Sequence, residues 1–274
     1  MLEKSSGNII WTFQTEDVVK SSPCLDNQTG LVWVGSHDGY LYALDIERKL
    51  CKVQENCFEG SCFSSPSLCY KPHQVYIATL AGRFLAVNAV TGVELWCRKL
   101  QKPIFASPLV KGDNVYLATV DGSLKCFDHH GNSLWQFLAT GSIFSSPVSL
   151  SDGTSTGEIV VASHDHHIYC VSADGTCKWS LQLDGPVYST PFILSHTDGS
   201  SKAVEIPTLP PSSVCCQVIF VITTKGTMYV LDGTEGLVLN TFSFPGEVFS
   251  SPVVVDRQLV VGCRNNYLYC VELG

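Results

Sequence analysis

A short small-small-proline motif occurs six times along the chain: Ser21-Ser22-Pro23, Ser64-Ser65-Pro66, Ala106-Ser107-Pro108, Ser145-Ser146-Pro147, Ser189-Thr190-Pro191 and Ser250-Ser251-Pro252. Successive prolines lie 43, 42, 39, 44 and 61 residues apart. Recurrence near 40 residues constrains the fold more than any composition figure. Each repeat is one small unit that buries its apolar face only by stacking on its neighbours. Three residues before each proline stand Lys20, Phe63, Phe105, Phe144, Tyr188 and Phe249, five of them aromatic.

A second register follows every proline. The segments 35–45 (GSHDGYLYALD), 78–88 (ATLAGRFLAVN), 118–128 (ATVDGSLKCFD), 162–172 (ASHDHHIYCVS), 222–232 (ITTKGTMYVLD) and 262–272 (GCRNNYLYCVE) superpose without gaps. Each contains a turn pair between alternating runs, as a hairpin requires. Asp-Gly at 38–39 and 121–122 predicts type I′ turns, in which both central residues take positive φ. His166 and Asn266, in the second turn position, also tolerate the left-handed region. A third register places Trp96, Trp135 and Trp179 at the end of a unit, with Val53 and Asn240 in the same slot elsewhere.

The clearest unit, 103–137, reads as four strands: 105–110, 114–120, 123–128 and 133–137. Four short strands per repeat of about 40 residues predict an all-β propeller with six four-stranded blades, a single domain over 1–274. Trp11 fits the tryptophan slot with no repeat before it, and the sixth copy lacks that strand. Residues 8–15 are therefore expected to be an orphan outer strand that completes the last blade, which removes two exposed sheet edges. Between Ile193 and Val218 the period is interrupted. Pro207, Pro210 and Pro211 exclude a central strand there, so 195–217 reads as an irregular surface loop.

The Ser-Ser-Pro start, the Asp-Gly turn and the Thr-Gly-x-x-x-Trp exit of AVNAVTGVELW (86–96) and CFDHHGNSLW (126–135) resemble the pyrroloquinoline-quinone-like (PQQ-like) repeat. More closely, TEDVVKSSP (15–23), GSHDGYLYALDIERK (35–49), VDGSLKCF (120–127) and PGEVFSSPVVV with GCRNNYLYC (245–270) are similar to the C-terminal repeat region of the beta-alanine-activating enzyme family, also called acyl-CoA synthetase family member 4 or aminoadipate-semialdehyde dehydrogenase homologues. That resemblance implies adenylation and phosphopantetheine carrier domains in cis, and neither motif set occurs in this chain. Rings of such repeats usually have seven or eight blades, so six copies imply part of a larger ring.

The repeat family also implies a quinone and Ca²⁺ as one alternative, and a membrane-assembly scaffold as another. Cys215-Cys216 is an adjacent pair of the kind quinoproteins place near the cofactor. However, no acidic cluster supplies the six to eight oxygens that Ca²⁺ takes. His164-Asp165-His166-His167 and His129-His130 suggest a metal, but His37 shares the position of His164, so turn chemistry explains it. Ser22, Ser65, Ser107, Ser146, Thr190 and Ser251 are read as packing groups, because no His-Asp pair recurs beside any of them. The tryptophans likewise read as blade-to-blade packing. No catalytic, cofactor-binding or metal residue is nominated, and no cofactor is expected.

A net charge of −8 argues against nucleic acid. No apolar run reaches the ~18 residues of a membrane helix. The N-terminal MLEKSSGNII has no signal-peptide core, and 13 scattered Cys read as buried reduced thiols. A cytoplasmic, non-catalytic scaffold with a protein partner or acceptor on one propeller face is expected.

Overall fold

The computed structural model describes residues 1–56, 60–150, 157–195, 217–255 and 258–273. The expected loop at 195–217 lies almost wholly outside them, as does Cys215-Cys216. Among the described residues there is no helix, and the strands form six sheets, each built from consecutive segments. The first holds β1 (Cys24–Asp26), β2 (Leu31–Gly35), β3 (Tyr40–Asp45) and β4 (Leu50–Asn56). The second holds β5 (Ser67–Tyr70), β6 (His73–Ala78), β7 (Arg83–Asn88) and β8 (Glu94–Lys99), and the third β9 (Leu109–Lys111), β10 (Asn114–Ala118), β11 (Ser123–Asp128) and β12 (Ser133–Leu138). The fourth has β13 (Val148–Ser149), β14 (Ile159–Ala162), β15 (His167–Val171) and β16 (Cys177–Gln182), and the fifth β17 (Phe192–Ser195), β18 (Gln217–Ile222), β19 (Thr227–Asp232) and β20 (Val238–Ser243). The sixth has three strands: β21 (Val253–Val255), β22 (Gln258–Cys263) and β23 (Tyr267–Glu272). These are the six blades that the repeat predicted.

Contacts group the chain into two compact units, 1–110 with 128–132, and 111–127 with 133–274. In the first, Leu31, Trp33, Leu41, Val75, Ile77 and Leu85 form a fully buried core. In the second, Val160, Ile168, Ile219 and Val221 form one core, and Phe220, Ile222, Leu259 and Val261 another. Alternation explains this: β18 buries both faces, with Phe220 and Ile222 in one core and Ile219 and Val221 in the other.

Two details differ from expectation. The first strand of each blade starts after its proline rather than before it; 105–108 is not strand, and β9 begins at Leu109. The serines before the prolines replace strand bonding with side-chain bonding. Ser21 Oγ donates to the Gly35 carbonyl at 2.7 Å and accepts from the Gly35 N–H at 3.0 Å. Ser64 does the same with Ala78, and Ser145 with Ala162. A proline without an N–H marks the change from one mode to the other.

The hairpins are also not type I′. Only the second residue of each pair has positive φ: Gly39, Gly82, Gly122, Gly226, His166 and Asn266 lie between 69° and 86°. Thr119 N–H donates to the Ser123 carbonyl and Gly122 N–H to the Thr119 carbonyl, which gives a three-residue loop ending in a left-handed residue. The aspartate keeps negative φ and uses its carboxylate instead, accepting from the N–H two residues on at positions 38, 121 and 165. His166 holds φ of 69° with a side chain attached. His166→Gly is accordingly expected to raise stability by about 0.5–1 kcal/mol, seen as a higher urea midpoint at unchanged slope.

Candidate functional site

The side chains considered as chemistry are taken up by the repeat. Ser22 N–H donates to Ser65 Oγ at 2.8 Å, and Ser65 N–H to Ser107 Oγ at 2.9 Å. In the other unit, Ser146 N–H donates to Thr190 Oγ1 at 3.0 Å and Thr190 N–H to Ser251 Oγ at 2.9 Å. Each hydroxyl therefore accepts a backbone N–H from the preceding blade. None of these bonds joins a serine to an imidazole, which a nucleophile needs.

The tryptophan slot is equally regular. A bulge in the pairing of third and fourth strands recurs between Ala86 and Val87, Cys126 and Phe127, and Cys170 and Val171. It leaves Trp96, Trp135 and Trp179 opposite the small residues Ala86, Cys126 and Cys170, and re-aims the ring toward the next blade. Trp96 Nε1 donates to the His129 carbonyl at 2.8 Å, Trp135 to Ala173 at 2.8 Å and Trp179 to Gly233 at 3.3 Å. The faces of the rings lie against Gly131, Gly175 and Gly236.

The histidines are dispersed. His167 is tied to the Asp165 turn, and His166 occupies its left-handed position. His129 is buried between Tyr76, whose OH lies 2.7 Å from Nδ1, and Cys69, whose Sγ lies 3.8 Å from Nε2. His130 supplies its carbonyl to Arg98. Among the described residues no group of three or more His, Cys, Asp or Glu could hold a metal ion. Cys62, Cys170 and Cys263 are buried reduced thiols, and burial pushes the Cys170 thiol far up.

One polar pattern was not read from the sequence, although its spacing of four was there to find. Tyr42 OH donates to Asp38 Oδ2 at 2.9 Å, Tyr169 OH to Asp165 Oδ2 at 2.8 Å, and Asn265 Nδ2 to Tyr269 OH at 2.6 Å. Asp165 also accepts from the backbone and hydroxyl of Thr140. Burial alone would raise the Asp165 carboxyl. Hydrogen bonds from Tyr169, Thr140, Ser163 and the His167 N–H outweigh it and hold the carboxyl below the ordinary aspartate value. A lowered folded-state value means the stabilisation is complete above about pH 4 and is lost as pH falls through that lower value. Asp165→Asn should flatten the loss of urea stability between neutral and acid pH without abolishing it, because Asp26, Asp121 and Asp128 are lowered too.

The aromatic register before the prolines forms a run of ring contacts in each unit. In the first unit Phe63 and Phe105 meet at 5.3 Å in an edge contact, His37 lies 6.1 Å from Phe63, and Lys20 Nζ lies 5.8 Å from the Phe63 centroid. His37 Nε2 is buried without a hydrogen-bond partner. In the second unit Phe144, Tyr188 and Phe249 form a row with centroid separations of 4.7 and 5.2 Å. His164 packs edge-on against Tyr188 at 5.1 Å, and the Arg264 guanidinium lies 4.8 Å above Phe249. His37, His164 and Arg264 occupy one repeat position, so aromatic and cationic groups come from two interleaved registers. These rings are half-buried and Phe249 is 39% exposed. Such a surface can stack on planar or apolar groups and offer cations to carboxylates.

The fold has many solved relatives. BamB from Moraxella catarrhalis aligns with a TM-score of 0.62 at 17% identity, covering 96% of this chain and 86% of that one. A crystal structure of BBS1N in complex with ARL6DN aligns with a TM-score of 0.66 at 14% identity, covering 93% of this chain and 78% of that one. At those identities the likeness is one of fold. By sequence, the beta-alanine-activating enzyme of Drosophila melanogaster is 27% identical over 276 residues, covering 98% of this chain and 27% of the relative's length. The family described as "Beta-alanine-activating enzyme, beta-propeller" matches residues 1–273. Six sheets in repeat order, the tryptophan-on-glycine contacts and that end-to-end match lead to one conclusion: this chain belongs to the beta-propeller family of the beta-alanine-activating enzymes.

Proposed function

We propose that this chain is the non-catalytic interaction domain of a beta-alanine-activating protein, working in the cytoplasm beside adenylation and phosphopantetheine carrier domains. Its task is to dock a protein partner or the acceptor of the loaded amino acid on the face that carries the aromatic row. The observation that carries this reading is the division of labour within the repeat. Hydroxyls, tryptophans and turn carboxylates are used between or within blades, whereas the row of Tyr188 and Phe249 reaches the surface, with Phe249 39% exposed. Aromatic clusters flanked by a cation are where interface energy concentrates.

The test is direct binding between the purified chain and a carrier domain charged with beta-alanine, together with the rate of transfer from that carrier to candidate acceptor proteins. Tyr188→Ala and Phe249→Ala should each weaken binding about tenfold or more while thermal unfolding stays near wild type. If the chain neither binds carrier or acceptor nor alters transfer, the reading is wrong.

A further inference from the structure

Polar groups that recur in every copy serve the fold, so chemistry of its own should sit where a buried polar group departs from the repeat. Two such departures meet in the first unit. The third residue after the proline is Cys69 in the second blade, but Asp26, Lys111, Leu150, Leu194 and Val255 in the others. The residue just beyond the aligned hairpin segment is His129 in the third blade, but Ile46, Ala89, Ala173 and Gly233 in the first, second, fourth and fifth. Cys69 and His129 are each 7% exposed, and the Cys69 sulfur lies 3.8 Å from His129 Nε2. The tryptophan slot fixes the root of the imidazole, because the His129 carbonyl accepts the Trp96 indole N–H.

A third group orients the imidazole from its far side. His129 Nδ1 lies 2.7 Å from the Tyr76 OH, which itself donates to Gln74 Oε1 at 2.7 Å. A phenol has one proton, and the Gln74 carbonyl oxygen can only accept it. The Tyr76 oxygen is therefore the acceptor for an Nδ1–H, which leaves the bare Nε2 lone pair facing Cys69. Burial, with Cys69 and Asp128 nearby, holds the Tyr76 phenol far above its ordinary value, so it stays a neutral hydroxyl. The thiol hydrogen can be given to the Lys71 carbonyl at 3.3 Å or to Nε2 at 3.8 Å. Rotation about Cβ–Sγ exchanges these, and of the two only the imidazole can keep the proton. In the next blade the corresponding Tyr116 accepts from Asn114 Nδ2, and Ala173 stands in place of the histidine.

We infer that Cys69 is a peroxide-reactive thiol, with His129 as its base and Tyr76 as the positioning residue behind it. A nucleophile, a base within reach and a third group that orients the base are what activates a thiol. The low exposure of Cys69 and His129 selects a small electrophile over a protein or coenzyme reagent. In the step, Nε2 takes the thiol proton while sulfur attacks one peroxide oxygen, so that an S–O bond forms and the O–O bond breaks. The proton returns from Nε2 to the departing hydroxide and gives water. Sulfur is oxidised by two electrons, the peroxide is reduced by two, and Cys69 is left as a sulfenic acid.

Hydrogen peroxide added to the intact chain, with dimedone trapping of sulfenic acid and mass spectrometry of each cysteine, tests it. Cys69 should be labelled at least about tenfold faster than the exposed Cys177 and Cys270, despite its burial. His129→Gln should remove that advantage, while Cys62, fully buried in the same unit, stays unlabelled and so reports an intact fold. Tyr76→Phe should slow labelling of Cys69 about threefold, the worth of one hydrogen bond. Nitrogen NMR of the His129 ring should show a protonated Nδ1 and a bare Nε2, a preference that Tyr76→Phe abolishes. Cys69 labelled no faster than Cys177 in the wild-type chain would overturn the inference, as would an unchanged rate in His129→Gln or an Nε2–H tautomer in wild type. The wild-type rate and tautomer need no variant, which covers the case of a His129→Gln chain that does not fold.

Discussion

Gly175→Ala is expected to cost about 3 kcal/mol of stability. A Cβ at this position would sit 2.8 Å from the Trp135 ring, and the residue holds φ of +89°. Overpacking of a fixed aromatic contributes about 1–3 kcal/mol, and the left-handed backbone about 1–2 kcal/mol for an L-residue. Gly30→Ala separates the two effects. Gly30 has φ of +72° with nothing within 4 Å of its would-be Cβ, so only the backbone contribution of about 1–2 kcal/mol remains. Urea midpoints of the two variants compared with wild type give the difference directly. Equal costs would mean that the Trp135 ring moves aside freely, and that the tryptophan slot is not a rigid packing element.

The complementary change removes the ring. Trp135→Ala should cost about 3–4 kcal/mol, as expected for deleting a large aromatic that packs against a neighbouring sheet. Trp135 also contacts Tyr116 at 5.7 Å and donates its indole N–H to Ala173. Trp135→Phe retains most of the apolar surface and loses that single hydrogen bond, so about 1 kcal/mol is expected. In a Gly175→Ala background the cost of Trp135→Ala should fall sharply, since the clash and the contact involve the same ring. Additive costs would show that the two residues act independently.

How much of this was readable from the chain depends on whether one copy could be checked against another. The six blades and the positions of their middle strands were legible because alternation and turn chemistry recur at a fixed period. Trp96, Trp135 and Trp179 were legible as packing groups, but their partners Gly131, Gly175 and Gly236 belong to the next copy, and only a structure pairs them. The bulge beside each tryptophan was invisible, since a one-residue skip in pairing leaves no mark in a single strand. The start of each first strand was misplaced because Ser21, Ser64 and Ser145 imitate ladder bonding with their hydroxyls. Asp121-Gly122 predicted a hairpin correctly and its type wrongly. A type I turn followed by a left-handed residue needs positive φ once, and the aspartate is then free to use its carboxylate. The aromatic row before the prolines was plain as a pattern, but its stacking distances come only from the fold.

The hydroxyl relay has a consequence for how such domains change in evolution. Ser22, Ser65 and Ser107 in one unit, like Ser146, Thr190 and Ser251 in the other, link successive blades within that unit by a donor and an acceptor that every copy carries. A joint of that kind specifies a neighbour and leaves the total open. Duplication or loss of one repeat would leave every remaining joint chemically intact, in the manner of a link added to or removed from a chain. A change in blade number by whole repeats then requires no new chemistry at the joints that remain.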